Sequence, residues 1–350
     1  MRIQALTRTA IGIALAAAFS AAQAGVVFGL PASGLEGGVF RWDAAARTIG
    51  GNERSLDGGL RYAVSTGSLD GFRDQFSWDV VPTSAAFAAA VQGAFNAWTV
   101  VDPVSKFGST LRFVYDPNTA VAVVVGGGGA NSSGAEIDLV ATNDARFWNP
   151  GNSVRQGETW FNGIGEATTL TSGVAGYSFS RAISGADIYI NSNAGAVYSL
   201  PFFQRLLTHE IGHAIGLGDV EGTINPGTFI DDNFNAANPA GTLGNSWAAL
   251  VDPLDPSRSA GLARFSIGSA AAADGVDLLM ESFGLGISAA NPVGNAQPLT
   301  NDEFGTRQFL YPTLAPVPEP ATALLGLAGL GWLLLARAGL RRELARPQQA

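Results

Sequence analysis

Apolar residues recur at two different spacings along this chain. Phe87, Val91, Ala94 and Trp98 stand four, three and four residues apart, which places them on one stripe of a helix. The spacing predicts a helix over about Ser84–Val101, capped by Thr83 or Ser84 after Pro82 and ended near Asp102-Pro103. Two-residue alternation marks strands instead, at Leu60–Val64, Leu111–Tyr115, Ala135–Leu139 and Ala186–Ile190. Val39–Trp42 is a further short strand candidate. Val121–Val125 is an apolar run halted by Gly126–Gly129; no Gly-Lys-Ser/Thr follows, so the glycines read as a turn and not a phosphate loop. Ser199 can cap a second helix, with Pro201 in its first turn. A last helix is expected within Leu299–Tyr311, where Thr300 caps and Glu303 follows at capping-box distance.

The two ends break both patterns. Met1–Ala24 has Arg2 and Arg8, an apolar run from Ala10 to Phe19, and then Ala22-Gln23-Ala24. That order is an export signal with a cleavage site after Ala24, and the apolar run is short for a membrane anchor. At the other end Val317-Pro318-Glu319-Pro320 precedes 16 apolar residues, Ala321–Ala336, and then Arg337, Arg341, Arg342 and Arg346. Sixteen residues is marginal for spanning a bilayer, and the arginines mark a cytoplasmic side.

Composition narrows the function classes. Hydrophobic residues make up 47% of the 350, enough for a core, and only 14% are charged. The 45 glycines imply many turns, and with no cysteine neither disulfides nor thiolate metal sites exist. Six of the 20 basic residues and one of the 29 acidic ones, Glu343, lie in residues 1–24 and 321–350, leaving 14 against 28 and a net charge of about −14. Nucleic acid and anionic membranes are poor partners for such a body, whereas calcium is a suitable one. Phe229–Asn235, with its crowded Asp and Asn oxygens, is a calcium candidate, though a solvated loop fits it as well.

The chemistry concentrates in Leu206–Gly222, which holds both histidines of the chain, His209 and His213. Four residues apart on a helix, they project from one face about 40° apart and can reach one ion. Glu210 completes H-E-x-x-H, with a carboxylate placed to act as general base. Gly216 can take the left-handed conformation that ends a helix, which returns Asp219 towards the metal as third ligand. Glu221 is the next candidate. Five residues can match by chance, and a buried helix can carry His and Glu for packing alone. The glycine offset, a ligand-capable Asp219 and the lack of any other histidine favour the metal site.

The run H-E-I-G-H-A-I-G-L-G-D resembles the metzincin clan of zinc proteases, whose long form is H-E-x-x-H-x-x-G-x-x-H, with Asp219 in place of the last His. Carboxylate is an ordinary zinc ligand. Leu299–Tyr311 resembles the last helix of matrixins, L-S-x-D-D-I-x-G-I-Q-x-L-Y, and the strand–helix–strand from residue 60 to 115 resembles their N-terminal part. Met280 is the one methionine besides the initiator, and its place behind the motif matches the Met-turn beneath the zinc; a core-filling methionine is the alternative. Ser282 stands where astacin-like relatives have a tyrosine ligand. The C-terminal segment resembles a PEP-CTERM sorting signal, which implies a Gram-negative bacterium and an exosortase-type processing enzyme.

These resemblances imply an α+β fold: a metzincin-like catalytic domain at 60–312, with a twisted, mostly parallel sheet, an active-site helix and a helical C-terminal subdomain. Residues 1–24 would be a signal peptide, 25–59 a lead-in or pro-segment remnant, 313–320 a linker and 321–350 the sorting helix and basic tail. Ala186–Ile190 would be the edge strand that binds extended substrate. The implied activity is an exported zinc endopeptidase acting on protein or peptide, with Glu210 as base and His209, His213 and Asp219 holding Zn2+. Ca2+ is the second candidate ion. Membrane association would be transient, through the C-terminal helix, and the product secreted or held at the cell surface. The alternative is a non-catalytic surface or biofilm-matrix protein on a protease scaffold; an intact Glu210 argues against it, since a binding relic needs no base.

Overall fold

The computed structural model describes residues 28, 40–101, 108–121, 133–144, 148, 156–164, 168–169, 181–219, 279–280, 294–299 and 301–311. Ten strands and four helices lie within them. They are β1 (Phe40–Arg41), β2 (Thr48–Ile49), β3 (Asn52–Glu53), β4 (Leu60–Val64), α1 (Leu69–Arg73), β5 (Ser77–Trp78) and α2 (Ser84–Ala97). There follow β6 (Phe113–Tyr115), β7 (Ile137–Thr142), β8 (Gly157–Ile164), β9 (Arg181–Asn191), β10 (Val197–Tyr198), α3 (Leu200–Ala214) and α4 (Asn301–Leu310). The expected signal, the calcium candidate at 229–235, Glu221, Ser282, Thr300 and the C-terminal segment lie outside the described residues, as do 122–125 of the apolar run. No helix among the described residues is long and apolar enough to cross a membrane.

One six-stranded sheet carries the fold, in the order β1-β9-β7-β4-β6 with β8 added against β9. Every pairing in it is parallel except β8 with β9. The chain is therefore α+β with a mostly parallel sheet. β9 is filled on both edges: β8 runs antiparallel along Ala182–Ile190, while β1 and β7 share the other side at Arg181–Ala182 and Ala186–Asn191. This corrects the expectation for Ala186–Ile190, which is an interior strand and not the edge. All of β9 beyond Arg181 is buried, because neighbours cover both its edges and both its faces. The antiparallel strand beside it is β8, and no partner lies along its outer side among the described residues.

The helix stripe read from the sequence packs as expected. Phe87, Val91, Ala94 and Trp98 are all fully buried, in one cluster with Tyr62, Ile137, Leu139, Ile188 and Ile190 of the sheet and Phe203, Leu207 and Ile211 of α3. Thr83 is the residue that caps α2, its hydroxyl accepting from Ala86 N–H at 3.2 Å. α2 is shorter than expected, with Trp98 as its C-cap. Ring packing of Phe76, Trp78, Phe87, Tyr198 and Phe203 ties β5 and β10 to the N-terminal turns of α2 and α3.

The opposite sheet face is unlike the helix-covered one. Glu136, Asp138 and Asp187 are all buried there, with Val140, Trp148 and Tyr189. Buried carboxylates are costly unless neutralised or hydrogen-bonded. Glu136 meets that demand: Arg61 binds it through Nε at 2.9 Å and Nη2 at 2.8 Å, and Arg54 lies 3.7 Å away. Arg54 in turn donates to the carbonyls of Ala135 and Gly134.

Candidate metal centre

Helix α3 exists because its inward residues are apolar and its two ends are well capped. Ser199 accepts from Phe202 N–H at 3.3 Å, with Pro201 in the first turn. At the far end Gly216 has φ +102°, which an L side chain seldom adopts, and a Cβ there would strike the Phe40 carbonyl. Gly216 N–H donates to His213 O and Leu217 N–H to Gly212 O, both at 2.9 Å. These are the two bonds of a Schellman cap. The cap reverses the chain, and Asp219 comes back over the face that carries His209 and His213.

The three side chains meet as the spacing predicted. Their ligand atoms all lie within 4.8 Å of one another, and Asp219 Oδ1 is 3.3 Å from His209 Nε2 and 3.2 Å from His213 Nε2. The rings stand nearly perpendicular, at 85°. Each histidine is oriented through its other nitrogen: His209 Nδ1 is 2.7 Å from Leu279 O, and His213 Nδ1 is 2.9 Å from Leu217 O. A carbonyl oxygen only accepts, so each Nδ1 carries a proton, and a neutral ring turns the lone pair of Nε2 towards Asp219.

That donor set tests whether a metal fits. With both rings neutral, two imidazole lone pairs and a carboxylate oxygen converge, an arrangement that repels unless a cation joins it. Protonating both rings is the other solution, and it puts two positive charges side by side on residues 3% and 7% exposed. Burial alone lowers the His209 imidazole, yet the Asp219 carboxylate outweighs it and holds the group up to about 9. His213 moves upward for the same reason. Burial pushes the Asp219 carboxyl up, but the two imidazoles overcome it and hold the group well below the usual carboxylate range. This strong preference for opposite charge is what a divalent cation would satisfy. Zn–N and Zn–O bonds are about 2.0–2.2 Å. Ligand atoms 3.2–3.3 Å apart are close to the separation that tetrahedral angles at such distances require. His209, His213 and Asp219 can therefore hold a metal ion.

Glu210 lies beside this group and is 3% exposed. Burial pushes its carboxyl above the usual range, against the pull of the two imidazoles and of Thr159. Thr159 of β8 donates its hydroxyl hydrogen to Glu210 Oε2 at 2.6 Å. Gly157, two residues earlier on the same strand, leaves the room that Glu210 Oε1 occupies, since a Cβ there would collide with that oxygen. Met280 is 3% exposed and packs on α3 at Gly212, where a Cβ would meet its sulfur and the Trp98 ring. Its neighbour Leu279 supplies the carbonyl that orients His209, and Glu303 of α4 accepts from Met280 N–H at 3.2 Å.

The sequence reading brought together His209, Glu210, His213, Asp219 and Met280. It missed β8 altogether, and with it Thr159 and Gly157. Thr159-Trp160-Phe161 between Gly157 and Gly163 is a run of good strand formers, but the glycines at either end resemble turn signals. It also could not name the Leu279 and Leu217 carbonyls, because any residue supplies one. No family model matches this chain, and no curated protein matches it.

Proposed function

We propose that this chain is an exported zinc endopeptidase of matrixin-like metzincin type, with His209, His213 and Asp219 as metal ligands and Glu210 as general base. The observation that carries the reading is the convergence of both Nε2 atoms on Asp219 Oδ1, with each ring held by a carbonyl at Nδ1 and a buried carboxylate at their side. Neutral imidazole and carboxylate are the donors zinc takes in three-ligand catalytic sites, and there is no thiolate in the chain to compete. The mostly parallel sheet and the packing of Met280 against the histidine-bearing helix at Gly212 support the clan assignment.

A zinc ion bound there would supply Lewis acidity to a water molecule and to the scissile carbonyl. Glu210 takes the proton of the attacking water and later gives it to the leaving amine. Burial of this carboxylate raises its proton affinity and suits it to both halves of that exchange. The outer side of β8 offers backbone N–H and C=O groups to an extended peptide, which binds many sequences through main-chain bonds. Leu279 and Leu217 hold the rings and exclude the other tautomer.

The test is zinc stoichiometry and chelator-sensitive casein cleavage by the exported protein beside Glu210→Gln. The variant should keep its zinc and fold and lose about 10²–10⁴-fold in turnover. Wild-type turnover in Glu210→Gln would refute the assigned base, and a zinc-loaded wild type that cleaves no peptide would favour the surface-scaffold alternative.

A further inference from the structure

We propose that Thr159 is the positioning residue for Glu210, and that its hydroxyl on the substrate-facing strand fixes the base for turnover. The proposal rests on the reading of Glu210 as general base and adds a group that the zinc motif does not contain. Thr159 Oγ1 lies 2.6 Å from Glu210 Oε2 and 3.1 Å from Glu210 O. One hydroxyl has one hydrogen, and the shorter contact to the charged oxygen takes it. No other group among the described residues donates to this carboxylate.

A glutamate side chain turns about three bonds, and most of that freedom must be lost before the carboxylate can meet a reacting water in one geometry. Its helix supplies only the Cα position. The remaining constraint comes from β8, where Gly157 leaves the space for Oε1 and Thr159 holds Oε2. Threonine suits this role. Its β-branch restricts χ1, and Thr159 sits in a strand whose register is set by pairing with Ile188 of β9. The hydroxyl hydrogen stays on Oγ1 throughout; Thr159 orients the base and transfers nothing. Because β8 is also the strand an extended peptide would lie along, a substrate that orders β8 also orders Glu210.

The experiment compares Thr159→Val, which keeps the shape and removes the donor, with Thr159→Ser, which keeps the donor, on the full exported chain. In Thr159→Val, kcat should fall about 10–100-fold, the range typical for removing a group that orients a site residue. KM and zinc content should stay within about twofold, and Thr159→Ser should recover most of the rate. In a Glu210→Gln background the Val substitution should cost little more, since the two changes act through one group. A second readout needs no activity: the carboxylate infrared band assigned to Glu210 by its loss in Glu210→Gln should shift in Thr159→Val and not in Thr159→Ser. Should Val disturb folding, Thr159→Ala serves as the donor-free variant. Wild-type kcat in the Val and Ala variants, or a band that does not move, would overturn the proposal. A wild type that binds zinc and cleaves nothing would sink the reading of the base, while the band would still decide whether Thr159 holds the carboxylate.

Discussion

Asp138→Asn should stabilise this protein at and above neutral pH. Asp138 is on β7, level with Asp187 of β9 in the parallel register, and both are fully buried on the face away from the helices. Its Oδ1 accepts from Ala135 N–H at 3.0 Å, while Oδ2 is buried without a hydrogen-bond partner among the described residues. Burial is the main cause that pushes the carboxyl up, and the Asp187 and Glu136 charges add to it. The Ala135 N–H and the Arg54 guanidinium pull the other way, and the outcome is about 7 against an ordinary 3.8.

The sign follows from proton counting. Between about 4 and 7 the folded chain holds a proton here that the unfolded chain has released, so stability falls as pH rises through that window and levels off above it. A difference of about 3 pH units at about 1.36 kcal/mol each sets a ceiling of about 4 kcal/mol. Local rearrangement on ionisation brings the realised cost below that ceiling. Asparagine keeps the acceptor for Ala135 and carries no charge at any pH. Urea unfolding of wild type and variant from pH 4 to 8 should show the curves meeting near pH 4, separating in favour of Asp138→Asn as pH rises towards 7 and keeping a constant gap above it. Parallel curves, or a variant less stable than wild type at pH 8, would refute the reasoning, because either would mean that the ionised carboxylate is compensated in the fold.

Gly216→Ala should cost at least about 2 kcal/mol, because it forces a side chain into a φ of +102° and against the Phe40 carbonyl. Gly195→Ala, with open space around it and no unusual φ, should stay within about 0.5 kcal/mol in the same urea titration. Asp219→Ala should lose bound zinc and Asp219→His should keep it, as read by metal analysis after dialysis; tight zinc in the alanine variant would remove Asp219 from the ligand set and make Glu221 the next candidate.

The legible parts of the sequence were those governed by local spacing. H-E-x-x-H on a helix places His209 and His213 on one face by backbone geometry alone, and Gly216 announces the turn that returns Asp219. The α2 stripe was legible for the same reason, since Phe87 to Trp98 encode one buried face within four turns. What stayed hidden depends on partners distant in the chain. β9 reads as an alternating edge strand only over five residues; the buried Asp187 supplies the apparent polar position, yet it lies inside the protein between β7 and β8. β8 hides because glycines bound it, and one of those glycines is there to clear Glu210. Thr159 belongs to no motif, because its role comes from a contact spanning 51 residues.

The site must be held rigid without a single disulfide, and the way α3 is tied shows how. Trp98 of the α2 cap donates from Nε1 to Thr208 O, and Trp42 donates from Nε1 to Ala214 O, both at 2.9 Å. Tyr311 donates to Ile215 O at 2.6 Å and accepts from Trp42 N–H at 3.2 Å. Two of these carbonyls belong to the last turn of the helix or its cap, where no intrahelical N–H remains to satisfy them. Three large aromatic side chains thus fasten the backbone just before His209 and just after His213, from three separate regions of the chain. Arg307 of α4 reaches the carbonyls of Trp98 and Val100, so α4 also secures the residue that secures α3. Hydrogen bonds to buried carbonyls contribute about 1 kcal/mol each when made and cost about 1–3 kcal/mol when one partner is removed. Such a frame is weak in any one bond and specific as a set. It fixes the helix that carries His209 and His213 to the fold itself, and the Leu279 and Leu217 carbonyls then orient the two rings upon it.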